Sequence, residues 1–600
     1  MILQALAGYY DRLAARTEPP VPRYGYSDEK ISFALVIAPD GTLVDVMDLR
    51  DPCGRKLQPR VLSVPRAIKR TSGIASNFLW DKTAYVLGSA RDKKEKSTLC
   101  EAPKEHLAFK SLHETMLAGT GDEGLLALLA FLAGWSPSNF QTLRDGDDML
   151  DANIAFRLDG ERRFLHDRLA AQSLWAARLA AEVGESGLCL VTGRPASVER
   201  LHPAIKGVNG AQSSGASLVS FNLDAFTSFD KQQGANAPVS KRAAFAYATV
   251  LNHLLRRDAH HSQRLQIGDA STVFWAEASG TDGDEVAMAS EDLFAMLTEP
   301  PTDAEEAAKI RPILEKIEKG RPLEEIDPNL HRDTRFFVLG LAPNAARLSI
   351  RFWHVNTLGS LADRFREHWL DLLIEPRPQQ MAPSVWRLLV ETAAQRKSDN
   401  IPPLLGGEVM RAILTGGRYP RTLLTYVVMR CRADRDLNGM RAAMLKACLA
   451  RDHRMGIEKE GVSVSLDRSE INPGYRMGRL FAVLESVQRA ALGHVNATIR
   501  DRYYGAASAT PASVFPMLLR TAGHHLSNLR KTEKAGLAGW FEKEIGEILE
   551  DVETTLPRNL RLSDQGRFAI GYYHQRYAKR DDAPAEMAAA LDTDIPADED

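Results

Sequence analysis

The sequence predicts an α+β fold: a mixed α/β N-terminal body with antiparallel sheet elements, followed by an all-α C-terminal helical bundle domain. Three observations predict it. Short apolar runs bounded by turn residues recur before residue 360, that signal vanishes after it, and the C-terminal region carries one-sided apolar stripes at helical spacing. With 600 residues the chain exceeds what one core supports, since single cores stop growing near about 250–300 residues.

In order along the chain, Leu3, Leu6, Tyr10 and Leu13 recur at helical spacing. ISFALVIA and TLVDVMDL then flank Pro39-Asp40-Gly41, a hairpin turn in which proline fixes φ and glycine accepts φ > 0. Thr83 to Leu87 is a further candidate strand for that sheet, and residues 102–183 are mostly helical by pattern. From Gly187 the runs CLVTG, SLVSFN and STVFWA read as short strands between Gly/Ser/Asn-rich loops. The acidic, proline-punctuated stretch 277–330 reads as a solvated helical insertion or linker. FFVLGL and RLSIRFWHV, around Pro343-Asn344, give two more strands. Helices follow, and four segments (477–504, 511–530, 534–554 and 563–580) have the lengths of one bundle, with stripes such as Leu480, Leu484, Val487 and Leu537, Phe541, Ile545, Ile548 that need a partner face. The expected divisions are a body over 1–360, a helical linker domain over 361–475, a bundle over 476–580 and an acidic disordered tail over 581–600.

Composition excludes collagen-like, wholly disordered and disulfide-scaffold chains. The five cysteines lie far apart with no C-x-x-C, which points to a reducing compartment. The opening MILQALAGYYDRLAAR has no basic n-region, and Asp11 and Arg12 interrupt it, so it is not read as a signal peptide. The longest apolar run, Gly124 to Trp135, is shorter than the roughly 20 residues of a membrane span and reads as a buried helix. The expectation is a cytoplasmic protein.

The net charge of −2 hides an uneven distribution. Residues 277–327 carry 15 acids and 5 bases, residues 581–600 carry 8 acids and no base, and the remainder is left at +16. A polyanion responds to local charge within a Debye length of roughly 8–10 Å, so nucleic acid remains open as a partner.

No catalytic motif stands out. There is no phosphate-cradling G-x-x-x-x-G-K-[ST], no G-x-S-x-G elbow and no H-E-x-x-H pair. His166-Asp167 resembles half of a two-metal dyad but lacks further ligands nearby, and His260-His261 sits in a polar stretch that reads as a solvated helix end. Cys189 is half of a zinc knuckle without its other half and reads as a small buried thiol. Asn496-Ala-Thr498 matches a glycosylation sequon that a cytoplasmic location leaves inert. The reading is a non-enzymatic chain with no catalytic residue, no metal and no cofactor.

Three segments are suited to a polyanion. Pro52 to Trp80 holds Arg55, Lys56, Arg60, Arg66, Lys69 and Arg70 without one acid, and ends with Thr71, Ser72 and Asn77 around Gly73. Lys206 to Ser217 is a glycine loop rich in amides and hydroxyls, with Asn209, Gln212, Ser213 and Ser214. Such amides pair with base edges, and glycines let a backbone approach closely. Lys241-Arg242 and Arg256-Arg257 add charge downstream. The third segment is the helical stretch with Arg411, Arg418, Arg421, Arg430 and Arg432, continued by Arg476, Arg479, Arg489, Arg500 and Arg502.

At these residues the chain resembles a known family. KRTSGIASNFLWD (69–81), CLVTG…LHPAIKGVNGAQSSGASLVSFN (189–222) and FFVLGLAPNAARLSIRFWHVN (336–356), in this order, are similar to the signature blocks of the large subunit of the type I-C CRISPR Cascade complex, a Csd-type, Cas8c-like family. The resemblance implies a subunit of an RNA-guided antiviral ribonucleoprotein that recognises the protospacer-adjacent motif (PAM) in duplex DNA, helps open the duplex and stabilise the R-loop, and helps recruit a helicase–nuclease. Its implied partners are crRNA, target double-stranded DNA, the backbone and handle-binding subunits, and a small subunit produced by internal translation, for which Met477 is the candidate start. Carried onto this chain, Lys69, Arg70 and Lys206 hold phosphates beside the PAM, with Thr71 and Ser72 at the same surface. Asn77, Asn209, Gln212, Ser213 and Ser214 read base edges. Lys241, Arg242, Arg411, Arg418, Arg421, Arg476, Arg479, Arg500 and Arg502 line the path of the displaced strand. The alternatives are a nuclease or other nucleic-acid enzyme of the same pathway, or a purely structural adaptor.

Overall fold

The computed structural model describes the chain except residues 54–55, 69, 71–72, 92–98, 144–145, 182–183, 258–262, 281, 299–303, 380–381, 494–495, 551–554 and 578–600; the expected tail and His260-His261 therefore lie outside the described residues. Two units organise it: residues 1–205 with 217–253, and residues 206–216 with 254–600.

The first unit opens with α1 (Ile2–Ala14), then β1 (Tyr26–Ile31), β2 (Phe33–Ile37), β3 (Leu43–Asp48), β4 (Asp51–Cys53), β5 (Lys56–Gln58), β6 (Arg60–Pro65), β7 (Trp80–Lys82) and α2 (Thr83–Val86). It continues with β8 (Ser89–Arg91), β9 (Leu99–Glu101), α3 (Pro103–Met116), α4 (Glu123–Gly134), α5 (Gly146–Met149), β10 (Asn153–Leu158), α6 (Leu169–Ala181), β11 (Ser186–Leu188), β12 (Pro195–Ser197) and α7 (Lys241–Leu254). The hairpin of β2 and β3 forms as the sequence predicts. At its turn Gly41 takes φ +86° and lies so close to α4 that a Cβ would meet Phe131 N at 2.5 Å. The central sheet runs β3-β2-β10-β7, with β10 parallel to β2 and antiparallel to β7. Its core holds Phe33, Leu35, Phe109, Leu128, Phe131, Phe156 and Trp175. The apolar run of Gly124 to Trp135 is indeed a buried helix, α4.

Three expectations are corrected in this unit. Thr83 to Leu87 is a helical turn, not a strand; the strand beside it is Trp80–Lys82. Among the described residues of 102–183 the expected helices α3 to α6 form, but so does β10, a central strand. Buried on both faces, it shows no alternation to separate it from the surrounding helices. CLVTG is a turn in which Gly193 N donates to Cys189 O, and SLVSFN forms no strand.

The second unit contains an antiparallel sheet, β13 (Arg264–Ile267), β14 (Ala270–Glu277), β15 (Arg335–Asn344) and β16 (Arg347–Thr357), in sequence order. The strands expected at STVFWA, FFVLGL and RLSIRFWHV are all present. α8 (Gly283–Thr298) and α9 (Ala304–Glu318) lie between β14 and β15 in the chain. Within 277–330, α8 and α9 are helices as expected, but α8 is not solvated. The Phe294 ring of α8 packs at a tilt against Phe274 and Phe336, ring centroids 4.7 Å apart in each pair, and the buried Glu291 accepts Ala276 N–H at 2.9 Å. Glu285 and Asp292 lie on the exposed side of α8, and the number of acids in the stretch concealed its apolar stripe.

Helices complete the unit: α10 (Leu358–Leu372), α11 (Val385–Val390), α12 (Leu405–Thr415), α13 (Arg421–Asp434), α14 (Gly439–Arg454), α15 (Pro473–Leu492), α16 (Ile499–Ala507), α17 (Pro511–Leu529), α18 (Ala535–Glu550) and α19 (Leu562–Tyr577). The first expected bundle segment is two helices, because α15 ends at Gly493 with φ +68°. α15 and α19 cross with backbones almost in contact. A Cβ on Gly478 would meet Phe568 O at 1.9 Å, and one on Gly571 would meet Tyr475 O at 2.2 Å. One buried apolar core runs from Leu265 to Tyr573, across residues 360 and 475.

No described helix is long and apolar enough to cross a membrane.

Candidate nucleic-acid interface

In the second unit, Lys206 to Ala216 lies as a loop fastened at four points. Val208 and Ala216 are buried, Asn209 N–H donates to Ser271 Oγ of β14 at 2.9 Å, and Arg264 Nη2 donates to Gly207 O at 3.2 Å. Gly207, Gly210 and Gly215 take φ of +87°, +73° and +97°, which other residues rarely adopt. A Cβ on Gly207 would also strike Leu255 O at 2.7 Å. Anchors and left-handed turns together project Lys206, Asn209, Gln212, Ser213 and Ser214 to solvent. The five expected ligand-facing side chains of this loop are all exposed. Arg257 adds a cation, its Nη2 donating to Asn209 Oδ1 at 3.3 Å.

The segment 66–81, in the first unit, behaves differently. Lys69, Thr71 and Ser72 lie outside the described residues. Arg70 is expected at phosphate, yet its guanidinium is taken up internally. Nε donates to Ala75 O at 2.6 Å, Nη2 pairs with the fully buried Asp81, and the group lies 3.9 Å over the Tyr85 ring. Asn77, expected at a base edge, is 4% exposed and accepts Ile68 N–H at 3.0 Å. Asp81, which the sequence reading passed over, holds this loop together: it also accepts Asn77 N–H at 2.8 Å. Arg70 and Asn77 thus shape the loop, and Gly73 and Ile74 stand at its exposed tip.

The arginine face expected on the helices divides in two. Arg411, Arg418, Arg421 and Arg502 are exposed, and Arg418 is held in a bidentate pair with Asp452, both bonds 2.7 Å. Arg476 and Arg479 are each 2% exposed and do not line a surface. Arg476 Nε donates to Glu470 O at 2.7 Å, and Arg479 Nε donates to Gln575 Oε1 at 2.9 Å. Burial pushes the Arg479 pKa down. Arg500 is half-buried, its Nε 4.0 Å from Glu485. In the first unit, Arg242 is exposed and pairs with Asp11 at 3.3 Å, while Lys241 is half-buried.

His166 is a core residue stacked on Phe164, its Nε2 3.9 Å from Asp167 Oδ1. Cys189 is buried, as expected. Burial raises its thiol pKa, but hydrogen bonds from Ser240 and Thr192 outweigh this and bring it to about 6. Among the described residues, no group of three or more His, Cys, Asp or Glu is placed to hold a metal ion.

The family model of the CRISPR-associated protein Cas_Csd1 matches residues 6–579. The chain belongs to the Cas_Csd1 family. This is the family of the type I-C Cascade large subunit, in agreement with the resemblance carried by the three sequence blocks, and it makes the chain a CRISPR-associated Cascade subunit. A search of the curated proteins finds no match.

Proposed function

We propose that this Cas_Csd1 chain recognises the PAM in duplex DNA with the loop Lys206–Ser217, helps open the duplex, and holds the displaced strand along exposed helical arginines. The observation that supports it most is the loop itself: rigid anchors, three left-handed glycines, and exposed amides and hydroxyls beside cations. Asn and Gln amides pair with base edges, while Lys206 neutralises phosphate. Arg411, Arg421 and Arg502 serve the displaced strand, with Arg418 beside them in its pair with Asp452, and with crRNA and the other Cascade subunits as partners and a helicase–nuclease recruited afterwards. If a small subunit is translated from Met477, it begins inside α15, past the N-cap Asn472 and without the Tyr475–His574 hydrogen bond of 2.9 Å.

Gel-shift titrations of the assembled complex on PAM and mutated-PAM duplexes test the reading. Lys206→Ala should weaken both duplexes alike, whereas Gln212→Ala or Asn209→Ala should narrow the gap between them by about 1–3 kcal/mol. If all three variants match the parent on both duplexes, the loop is not the reader.

A further inference from the structure

In the second unit three buried arginines meet carboxylates, while Arg476, Arg479 and Arg567 donate to backbone carbonyls or an amide oxygen. Arg441 meets Glu391 at 3.1 Å, Arg451 meets Asp371 at 2.7 Å, and Arg576 meets Glu485 at 2.9 Å. Beside the glycine loop stand two more arginines, one exposed and one half-buried. Arg257 follows α7, Arg264 opens β13, and both guanidiniums reach the loop, at Asn209 Oδ1 and Gly207 O. Among the described residues neither forms an ion pair with a carboxylate, and Arg264 Nε is buried with no hydrogen-bond partner. Burial and the neighbouring charge of Arg257 both push the Arg264 pKa down, so the two cations feel each other. Two like charges held together at a partly buried position oppose folding, and an anion placed between them would relieve that cost.

We propose that Arg257 and Arg264 form a phosphate clamp flanking the loop, and that its ligand is a nucleic-acid phosphodiester. A guanidinium offers a planar fork of N–H donors that matches phosphate oxygens. The proposal rests on the loop being a nucleic-acid surface and adds the residues that grip the backbone.

The test uses the full-length chain and fluorescence anisotropy with three labelled probes: a PAM-containing duplex, single-stranded DNA and a guide-like RNA. Each is titrated at several salt concentrations with the parent, Arg257→Gln, Arg264→Gln and Arg257→Lys. Each Gln variant should reduce the slope of log K against log[salt] by about one and weaken all duplex sequences by the same factor, while Arg257→Lys keeps the slope. A loss confined to the RNA probe supports the clamp but overturns the duplex-reading role of the loop. Salt-dependent binding by the parent that both Gln variants reproduce, in slope and affinity on every probe, overturns the clamp and leaves the loop reading standing. If the parent binds no probe, both fall. Arg257 is exposed, so Arg257→Gln carries the test should Arg264→Gln fail to fold.

Discussion

Arg451 Nε donates to Asp371 Oδ2 at 2.7 Å across 80 residues of sequence, with both side chains almost completely buried. Arg454 Nη1 reaches the other carboxylate oxygen at 2.6 Å, and Arg451 also donates to Ala412 O, Gly417 O and the Tyr419 hydroxyl. One carboxylate therefore ties α10 to α14 and, through Arg451, to the segment after α12. Removing it leaves a buried, unpaired guanidinium. Asp371→Ala is expected to cost about 3–5 kcal/mol, read as a lower denaturation midpoint with unchanged slope. An unaltered midpoint would show that the pair does not hold these helices.

The α15–α19 crossing depends on its glycines. Gly478→Ala forces a methyl group against Phe568 O and should destabilise by about 1–3 kcal/mol or more through overpacking. Gly536→Ala, where a Cβ meets nothing within 4 Å, is the control and should not lower the melting temperature. Equal melting temperatures for the two variants would contradict the close crossing.

Asp81 holds both Arg70 and Asn77. Asp81→Asn should release Arg70 and speed tryptic cleavage after Arg70 severalfold, as local opening becomes more frequent. Unchanged cleavage kinetics would mean that the loop is held by other contacts.

Two buried histidines set a pH dependence. His113 accepts Leu79 N–H at Nε2 and donates from Nδ1 to Phe109 O, which requires the neutral ring, and burial pushes its pKa down to about 4. His368, buried beside Arg451, is pushed down to about 3. Unfolded histidine titrates near 6.5. The unfolded chain therefore binds protons first as pH falls. The stability that the neutral rings contribute is complete above about 6.5 and is lost progressively from there toward 4 and below. The melting temperature should fall between pH 7.5 and 5, and less steeply in His113→Gln. A parent that melts at the same temperature at both pH values would refute this.

Surface and buried arginines should separate in function. Arg421→Glu and Arg502→Glu should weaken single-strand binding while leaving the melting temperature unchanged, whereas Arg479→Glu should lower the melting temperature first. Normal single-strand affinity in the first two variants would remove them from the strand path.

Much of the fold was legible where periodicity was clean: the β2–β3 hairpin, the β15–β16 pair and the helices after residue 360. β10 was not, because a strand buried on both faces lacks alternation, and α8 was obscured by the number of acids around it, one of which, Glu291, is buried. The glycine loop was legible because its residue types leave little choice of conformation, and all five of its polar side chains are exposed. The arginines misled where their partners are distant in sequence. Segments without acids looked like binding faces, yet Arg479 is satisfied by Gln575 and Arg70 by Asp81, both outside the windows in which charge was counted.

The central claim concerns the loop as a reader of base pairs, and the most direct measurement is selection. The assembled complex is presented with duplexes randomised beside the target, and the bound fraction is sequenced. The parent should enrich a short motif, and Gln212→Ala or Asn209→Ala should relax it at one position while the rest persists. An identical motif from parent and both variants would contradict the account.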